Sequence, residues 1–421
     1  MIKTYELFSG VTLRCYADNR FKQGALSIQI IRPQCREEAA MNALIPTVLL
    51  RGCEGCPDLR AITNKLDELY GASVGTLVRR VGDYQATGLY CAFLEDHFAM
   101  TGDRILAPMV EFLGQLLLNP LTEDGGFDRS FVSGEKKNLI ATIESELNDK
   151  RAYAMGKLLR TMCSADSFGV PRLGDKESVA AIDAQKAYDH YRNILRTSPI
   201  ELFYVGSTDG ETVAQLLKTM LASIERNYEP IGEQQGFTDG GGSDVVEEMD
   251  AAQSVLCMGF VTPITRESDD FATMQILNNI LGAGMTSKLF QQVREKMSLC
   301  YAIGSGYYAT KGIMTVSAGI DCQKEQLVRQ EVLNQLDACC RGEITAEELN
   351  AAKEAVLSSL RGIHDSPSAI ESYYSTHQLS GSFRSPKLYM EQVQAVTMEA
   401  VVAAAKTVTL HTTYFLKGVS A

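Results

Sequence analysis

The sequence predicts an α+β protein built as a tandem of two similar halves, each a mainly antiparallel sheet layered against helices. Three observations carry that class. β-Rich runs alternate with amphipathic helical stretches along the whole chain, so each sheet has helices to cover one face. Three segments recur in the same order at spacings of 211–217 residues. A polar, glycine-rich stretch around Pro230–Asp244 lies midway, which is linker chemistry.

The recurrences are specific. Phe127–Leu139 matches Ile344–Val356, 217 residues on, and Glu177–Gln185 matches Glu391–Glu399, 214 on. The strand-like Ile200–Val205 matches Thr412–Lys417, with Tyr204 and Phe415 211 apart. Asp183 and Thr397 sit at the equivalent point of the second pair, where a side-chain oxygen accepts a free first-turn N–H. Chance accounts for one match, not for three in order, and small loop insertions account for the drift. The expected halves are residues 1–228 and 247–421, with 229–246 as linker.

Within the first half, Val11–Tyr16 and Ala25–Ile31 read as strands. Asp58 caps a helix whose Leu59, Ile62, Leu66, Leu69 and Tyr70 share one face, closed by Gly71. Extended segments follow at Ser73–Arg80 and Ala86–Phe93, then helices at Pro108–Leu118 and Phe127–Leu147. The second half repeats the order. A strand at Ser254–Phe260 precedes helices at Asp270–Leu281 and Ser287–Lys296, and extended segments follow at Tyr301–Tyr308 and Gly312–Ala318.

The 421 residues are 45% hydrophobic and 22% charged, a globular balance, and the net charge is −12. So acidic a chain is poorly suited to nucleic acid or an anionic membrane. No stretch approaches the roughly 20 apolar residues of a membrane span, and Met1–Gly10 lacks a signal-peptide pattern. A cytoplasmic protein is expected. The odd count of 11 Cys then reads as free, mostly buried thiols.

Few residues offer chemistry by themselves. Cys53-Glu54-Gly55-Cys56 has one metal-like spacing, but structural zinc needs a second pair that the chain lacks, so a turn with two unreactive thiols is expected. Glu95-Asp96-His97, and Glu144 with Glu146, read as solvated charge rather than a weak metal site. No Gly-x-Ser-x-Gly elbow occurs.

One stretch is more specific. Leu281-Gly-Ala-Gly-Met-Thr-Ser-Lys-Leu-Phe, followed by Arg294 and, seven residues on, Tyr301, resembles the carboxy-terminal-half signature of the M16 (pitrilysin/insulinase) zinc peptidases. The resemblance covers nearly the whole chain, because that family is itself a tandem of two α+β halves. It implies an M16-like fold and a substrate-binding role for Arg294, Tyr301, Gly282 and Gly284. Arg offers a fork of donors to peptide carbonyl or carboxyl oxygens, and Tyr donates toward an oxyanion. The glycines permit close backbone approach.

The same resemblance implies that the zinc site is gone. The family's His-x-x-Glu-His helix would place its ligands and base at Ala43, Pro46 and Thr47, and its third ligand at Thr142. Glu135 keeps the family's other acid on that second helix. The loss does not depend on alignment. The five His are 97, 190, 364, 377 and 411, and the nearest two are thirteen apart, so no His pair spans one helical turn. No catalytic residue, metal ligand or cofactor is therefore assigned, although zinc is the family's metal.

The resemblance thus implies a non-catalytic peptidase-like protein that binds peptide or unfolded protein and pairs with a zinc-bearing M16 homologue or with itself. Two rivals remain at this point: an active zinc endopeptidase with unconventional ligands, and a peptide-binding homodimer without catalysis.

Overall fold

The computed structural model describes residues 2–100, 102–381 and 383–419. The chain begins with β1 (Ile2–Phe8), β2 (Val11–Ala17) and β3 (Gln23–Pro33), then α1 (Arg36–Leu49) and α2 (Leu59–Glu68). The hairpin β4 (Ser73–Val81) and β5 (Tyr84–Leu94) leads to α3 (Leu106–Leu118). A small ladder, β6 (Thr122–Glu123) with β7 (Gly126–Phe127), precedes α4 (Arg129–Ser145) and α5 (Lys150–Met162). Next come α6 (Lys176–Ala180), α7 (Ala184–Thr197), β8 (Ile200–Gly206) and α8 (Gly210–Leu221). The second half runs β9 (Asp244–Met249), β10 (Ser254–Val261), α9 (Phe271–Leu281), a π-helical turn at Leu289–Lys296, β11 (Cys300–Tyr308) and β12 (Ile313–Ile320). It finishes with α10 (Glu325–Cys340), α11 (Ala346–Gly362), α12 (Pro367–Leu379), α13 (Pro386–Ala395), α14 (Met398–Ala405) and β13 (Thr409–Gly418).

The duplication is visible in the sheets. The first has the order β1-β2-β8-β3-β5-β4 and the second β9-β13-β10-β12-β11, reading from the corresponding edge. Without β1 the two are the same pattern. The β2–β8 and β9–β13 pairs are parallel, and every other neighbouring pair is antiparallel in both. The fold is the tandem, mainly antiparallel α+β architecture that the sequence predicts.

The chain divides into two compact units, and each includes one helix drawn from the other's stretch of sequence. Unit 1 holds residues 1–144, 170–233 and 364–376; unit 2 holds 145–169, 234–363 and 377–421. The exchanged helices α5 and α12 begin 217 residues apart, at Lys150 and Pro367, so they are equivalents. Their anchors differ. In unit 2, Ala154 and Leu158 of α5 are buried against Val255, Cys257, Tyr414 and Leu416. In unit 1, the equivalent of Ala154 is Glu371, which has no solvent exposure. Arg79 holds it with two hydrogen bonds of 2.9 and 2.7 Å, and Ser27, Gln29 and Ser375 donate to the same carboxylate.

Local signals act as the sequence implies. Asp58 accepts from Ala61 N at 2.8 Å, and Tyr70 and Gly71 end that helix with φ of 60° and 70°. Asp183 and Thr397 both cap, the first on Gln185 and Lys186, the second on Ala400. One predicted helix is different in kind: Leu289–Lys296 is wound as a π-helix, and Met297 N reaches back five residues to Gln292 O. The stretch between Ile224 and Ser243 has no regular structure, but β9 starts at Asp244, inside the expected linker, because Asp244–Met249 pairs with Thr413–Gly418. That irregular stretch is also tied down. Lys311 Nζ donates to Gln235 O at 3.1 Å, and Thr238 N donates to Asp166 at 2.8 Å.

Candidate functional site

The helix that the family resemblance assigns to zinc is α1, and nine of its 14 residues are buried. Ala39, Ala40, Asn42, Ala43, Leu44, Ile45, Pro46, Val48 and Leu49 are buried. Ala43 and Pro46 offer no side-chain donor atom to a metal. Thr47 turns its hydroxyl onto its own helix, donating to Leu44 O at 2.7 Å, and Thr142 on α4 does the same to Asn138 O at 2.9 Å. The retained acid, Glu135, is buried; it pairs with Arg51 Nη1 at 3.5 Å and accepts from Asn138 at 3.2 Å. These residues do not fit a zinc ion, whose ligands must be anionic or imidazole donors. Among the described residues no cluster of three or more His, Cys, Asp or Glu is placed to hold a metal.

Pro46 has a consequence that only the structure shows. A residue inside a helix normally donates its N–H four residues back, here to Asn42 O, and proline has none. The freed carbonyl accepts instead from Thr87 Oγ1 on β5, at 2.6 Å and in a buried position. Asn42 is further held by Gln85 (2.9 Å) and by His190 Nε2 (2.7 Å). Burial pushes His190 below the ordinary imidazole range, while the nearby Glu38 carboxylate acts in the opposite sense. The first-half position is thus a sealed, hydrogen-bonded wall.

The second-half signature is open. Arg294, Glu295, Ser298, Leu299, Cys300, Tyr301 and Lys324 line a pocket of about 460 Å³. The π-helical turn sets Arg294 on its last turn, and its guanidinium lies 4.6 Å from the centre of the Phe290 ring. Tyr301 is the second residue of β11 and is 63% exposed, its hydroxyl donating to Asp321 at 3.2 Å. Lys324 Nζ lies 2.9 Å from the same carboxylate. The hydrogen bonds from Lys324 and then Tyr301 hold Asp321 below the usual carboxylate range. Lys324 could not be found by motif; it comes from the short helix after β12, and only the β11–β12 hairpin brings it to Tyr301.

Gly282 and Gly284 do not line this pocket. Gly282 ends α9, where a Cβ would stand 2.7 Å from Ser305 Oγ and 2.9 Å from Leu289. Gly284 has φ +148°, and its carbonyl accepts from both the N–H and the hydroxyl of Ser287. In this structure both glycines serve the close turn that leads into the π-helix.

Other candidates resolve into structural parts. Glu95 is not solvated as its cluster suggested: it is 1% exposed and accepts from Tyr204 Oη at 3.0 Å and from Ser207. Folding carries it inside because β8 ends beside it. Asp96 accepts from Ile105 N and Leu106 N at the start of α3. Glu144 and Glu146 pair at the surface with Lys176 and Arg160. Cys53 and Cys56 exchange two backbone hydrogen bonds of 2.8 and 2.9 Å, both thiols are buried, and burial raises the Cys53 pKa. All eleven cysteines are free.

The chain is a tandem of two α+β halves, and the positions that the resemblance assigns to zinc hold Ala43, Pro46, Thr47 and Thr142. Residues 181–356 match the family described as the peptidase M16 inactive domain. A probable inactive metalloprotease, YmfF of Bacillus subtilis, is 26% identical over 97% of this chain and 96% of its own length. A conserved protein of Enterococcus faecalis shares the fold with a TM-score of 0.92 and 24% identity, covering 100% of this chain and 99% of that one. A peptidase M16 inactive domain of Pseudomonas fluorescens does so at 0.81 and 17%, with coverage of 100% and 99%. The chain is thus similar to M16 peptidase-like proteins, and its sequence holds no His-x-x-Glu-His motif.

Proposed function

We propose that this protein is a non-catalytic M16-type subunit that binds an extended peptide and pairs with a zinc-bearing M16 partner, which supplies the chemistry. One observation carries the reading: the Arg294–Tyr301 pocket is open and equipped with donors, while each position that the resemblance assigns to a zinc ligand or the base holds Ala, Pro or Thr. A π-helix is a rare backbone, frequent at functional sites, and here it carries the arginine. Arg294 and Lys324 offer charge-assisted hydrogen bonds to peptide carbonyl or terminal carboxylate oxygens, and Tyr301 adds a neutral donor. Holding an extended peptide contributes positioning energy to a reaction performed elsewhere. Eleven free thiols suit a reducing cytoplasm. No helix among the described residues is long and apolar enough to cross a membrane.

The test is purification from the native host followed by reconstitution. Recovery with an M16 chain bearing His-x-x-Glu-His, and faster peptide cleavage by that chain when this protein is added, support the proposal. Recovery of monomer or self-dimer alone, with no effect on a zinc-bearing homologue, overturns it. Stoichiometric zinc with chelator-sensitive cleavage by the isolated protein would establish the endopeptidase reading instead.

A further inference from the structure

The duplication is incomplete at one sheet edge. In unit 1, β2 carries a further strand, β1, paired antiparallel from Ile2 opposite Tyr16 to Phe8 opposite Val11. Its equivalent in unit 2 is β9, which lies parallel to β13 as β2 lies parallel to β8. Among the described residues no strand pairs with the outer edge of β9. The chain preceding β9 is engaged elsewhere: Gln235 by Lys311, Thr238 by Asp166 and Asp239 by His411. The edge is accessible, with Val246 61% exposed and the side chains of Asp244 and Glu248 57% and 60% exposed.

We propose that the outer edge of β9 is a strand-addition site for an extended, basic peptide segment. An open edge presents unpaired N–H and C=O groups in the spacing that another strand matches. Charge selects the occupant. Asp244, Glu247, Glu248 and Asp250 put four acids within seven residues. Their cations come from the sheet's own side: Arg329 of α10 to Asp244, Lys157 of α5 to Glu247, and Lys417 of β13 to Glu248. A second copy of this chain pairing edge to edge would set eight acids along one seam, which like-charge repulsion opposes. A strand with Lys at alternate positions complements the edge, and Val246 supplies its apolar contact. This site is separate from the Arg294 pocket and does not depend on it.

Hydrogen exchange of the full-length protein tests the proposal, with the hexapeptide acetyl-Lys-Val-Thr-Val-Lys-Val-amide as probe. The peptide is expected to slow exchange within Asp244–Met249. Methylating its alternate backbone nitrogens should abolish the effect. Val246→Lys, at an exposed position, should weaken binding about tenfold or more, with unchanged circular dichroism. Four outcomes overturn the proposal: no binding, equal binding of the N-methylated peptide or of its Glu-for-Lys counterpart, protection that leaves residues 244–249 unprotected, or protection of this segment by self-association without peptide.

Discussion

Thr87→Val replaces a hydroxyl by a methyl of similar shape at a position 1% exposed. It removes the 2.6 Å hydrogen bond to Asn42 O, whose ordinary helical donor is missing because residue 46 is proline. A buried carbonyl left without a partner costs about 1–3 kcal/mol, so the α1 region of unit 1 should lose about that much. In a Pro46→Ala background the new N–H can reach Asn42 O, and the same Thr87→Val change should then cost about 1 kcal/mol or less, the ordinary net value of one hydrogen bond. The two substitutions are therefore coupled by about 1–2 kcal/mol. Native-state hydrogen exchange of peptides within Arg36–Leu49, measured for the wild type, both single variants and the double variant, reads the local opening free energy. If Thr87→Val costs the same in both backgrounds, within about 0.5 kcal/mol, Thr87 does not replace the missing helical donor and the account of this wall fails.

Four further outcomes are expected. Glu371→Leu strands Arg79 beside Ser27 and Gln29; since Arg79 keeps 23% of its side-chain exposure, the loss should be about 2–4 kcal/mol in urea unfolding, with part recovered by adding Arg79→Leu. Arg294→Ala and Tyr301→Phe should each weaken binding of an extended peptide about 5–30-fold by fluorescence anisotropy, without changing the fold; unchanged affinity would remove them from the site. Elemental analysis of the purified protein should find no stoichiometric zinc, and a chelator should leave its melting temperature unchanged. Because burial lowers the pKa of His190 from its ordinary 6.5, the unfolded chain takes up a proton there that the folded chain resists. Stability should therefore fall as pH drops below about 6.5, and His190→Gln should flatten the fall between about pH 7.5 and about pH 5.5. Identical melting-temperature profiles for the two proteins would show that His190 contributes nothing to it.

The repeat, and with it the tandem α+β class, was legible because periodic apolar residues and caps such as Asp58, Asp183 and Thr397 act over a few positions and leave their mark in order along the chain. The absence of the His-x-x-Glu-His motif was equally legible, since the five widely spaced histidines make no one-turn pair. Tertiary structure decided what no local pattern encodes. The edge strand β9 follows a run of glycines and is shaped by its parallel pairing with β13. Lys324 reaches Tyr301 only through a hairpin. Glu95 reads as a solvated charge until Tyr204 and Ser207, over a hundred residues away, enclose it. Glu371 and Ala154 occupy equivalent turns of exchanged helices, yet one is an ion-pair anchor and the other an apolar contact, because the partner of a buried side chain is chosen by the sheet it lands on. The sequence by itself determined that no two histidines lie one helical turn apart and that the chain is built twice; three-dimensional packing determined which surfaces that doubling leaves open.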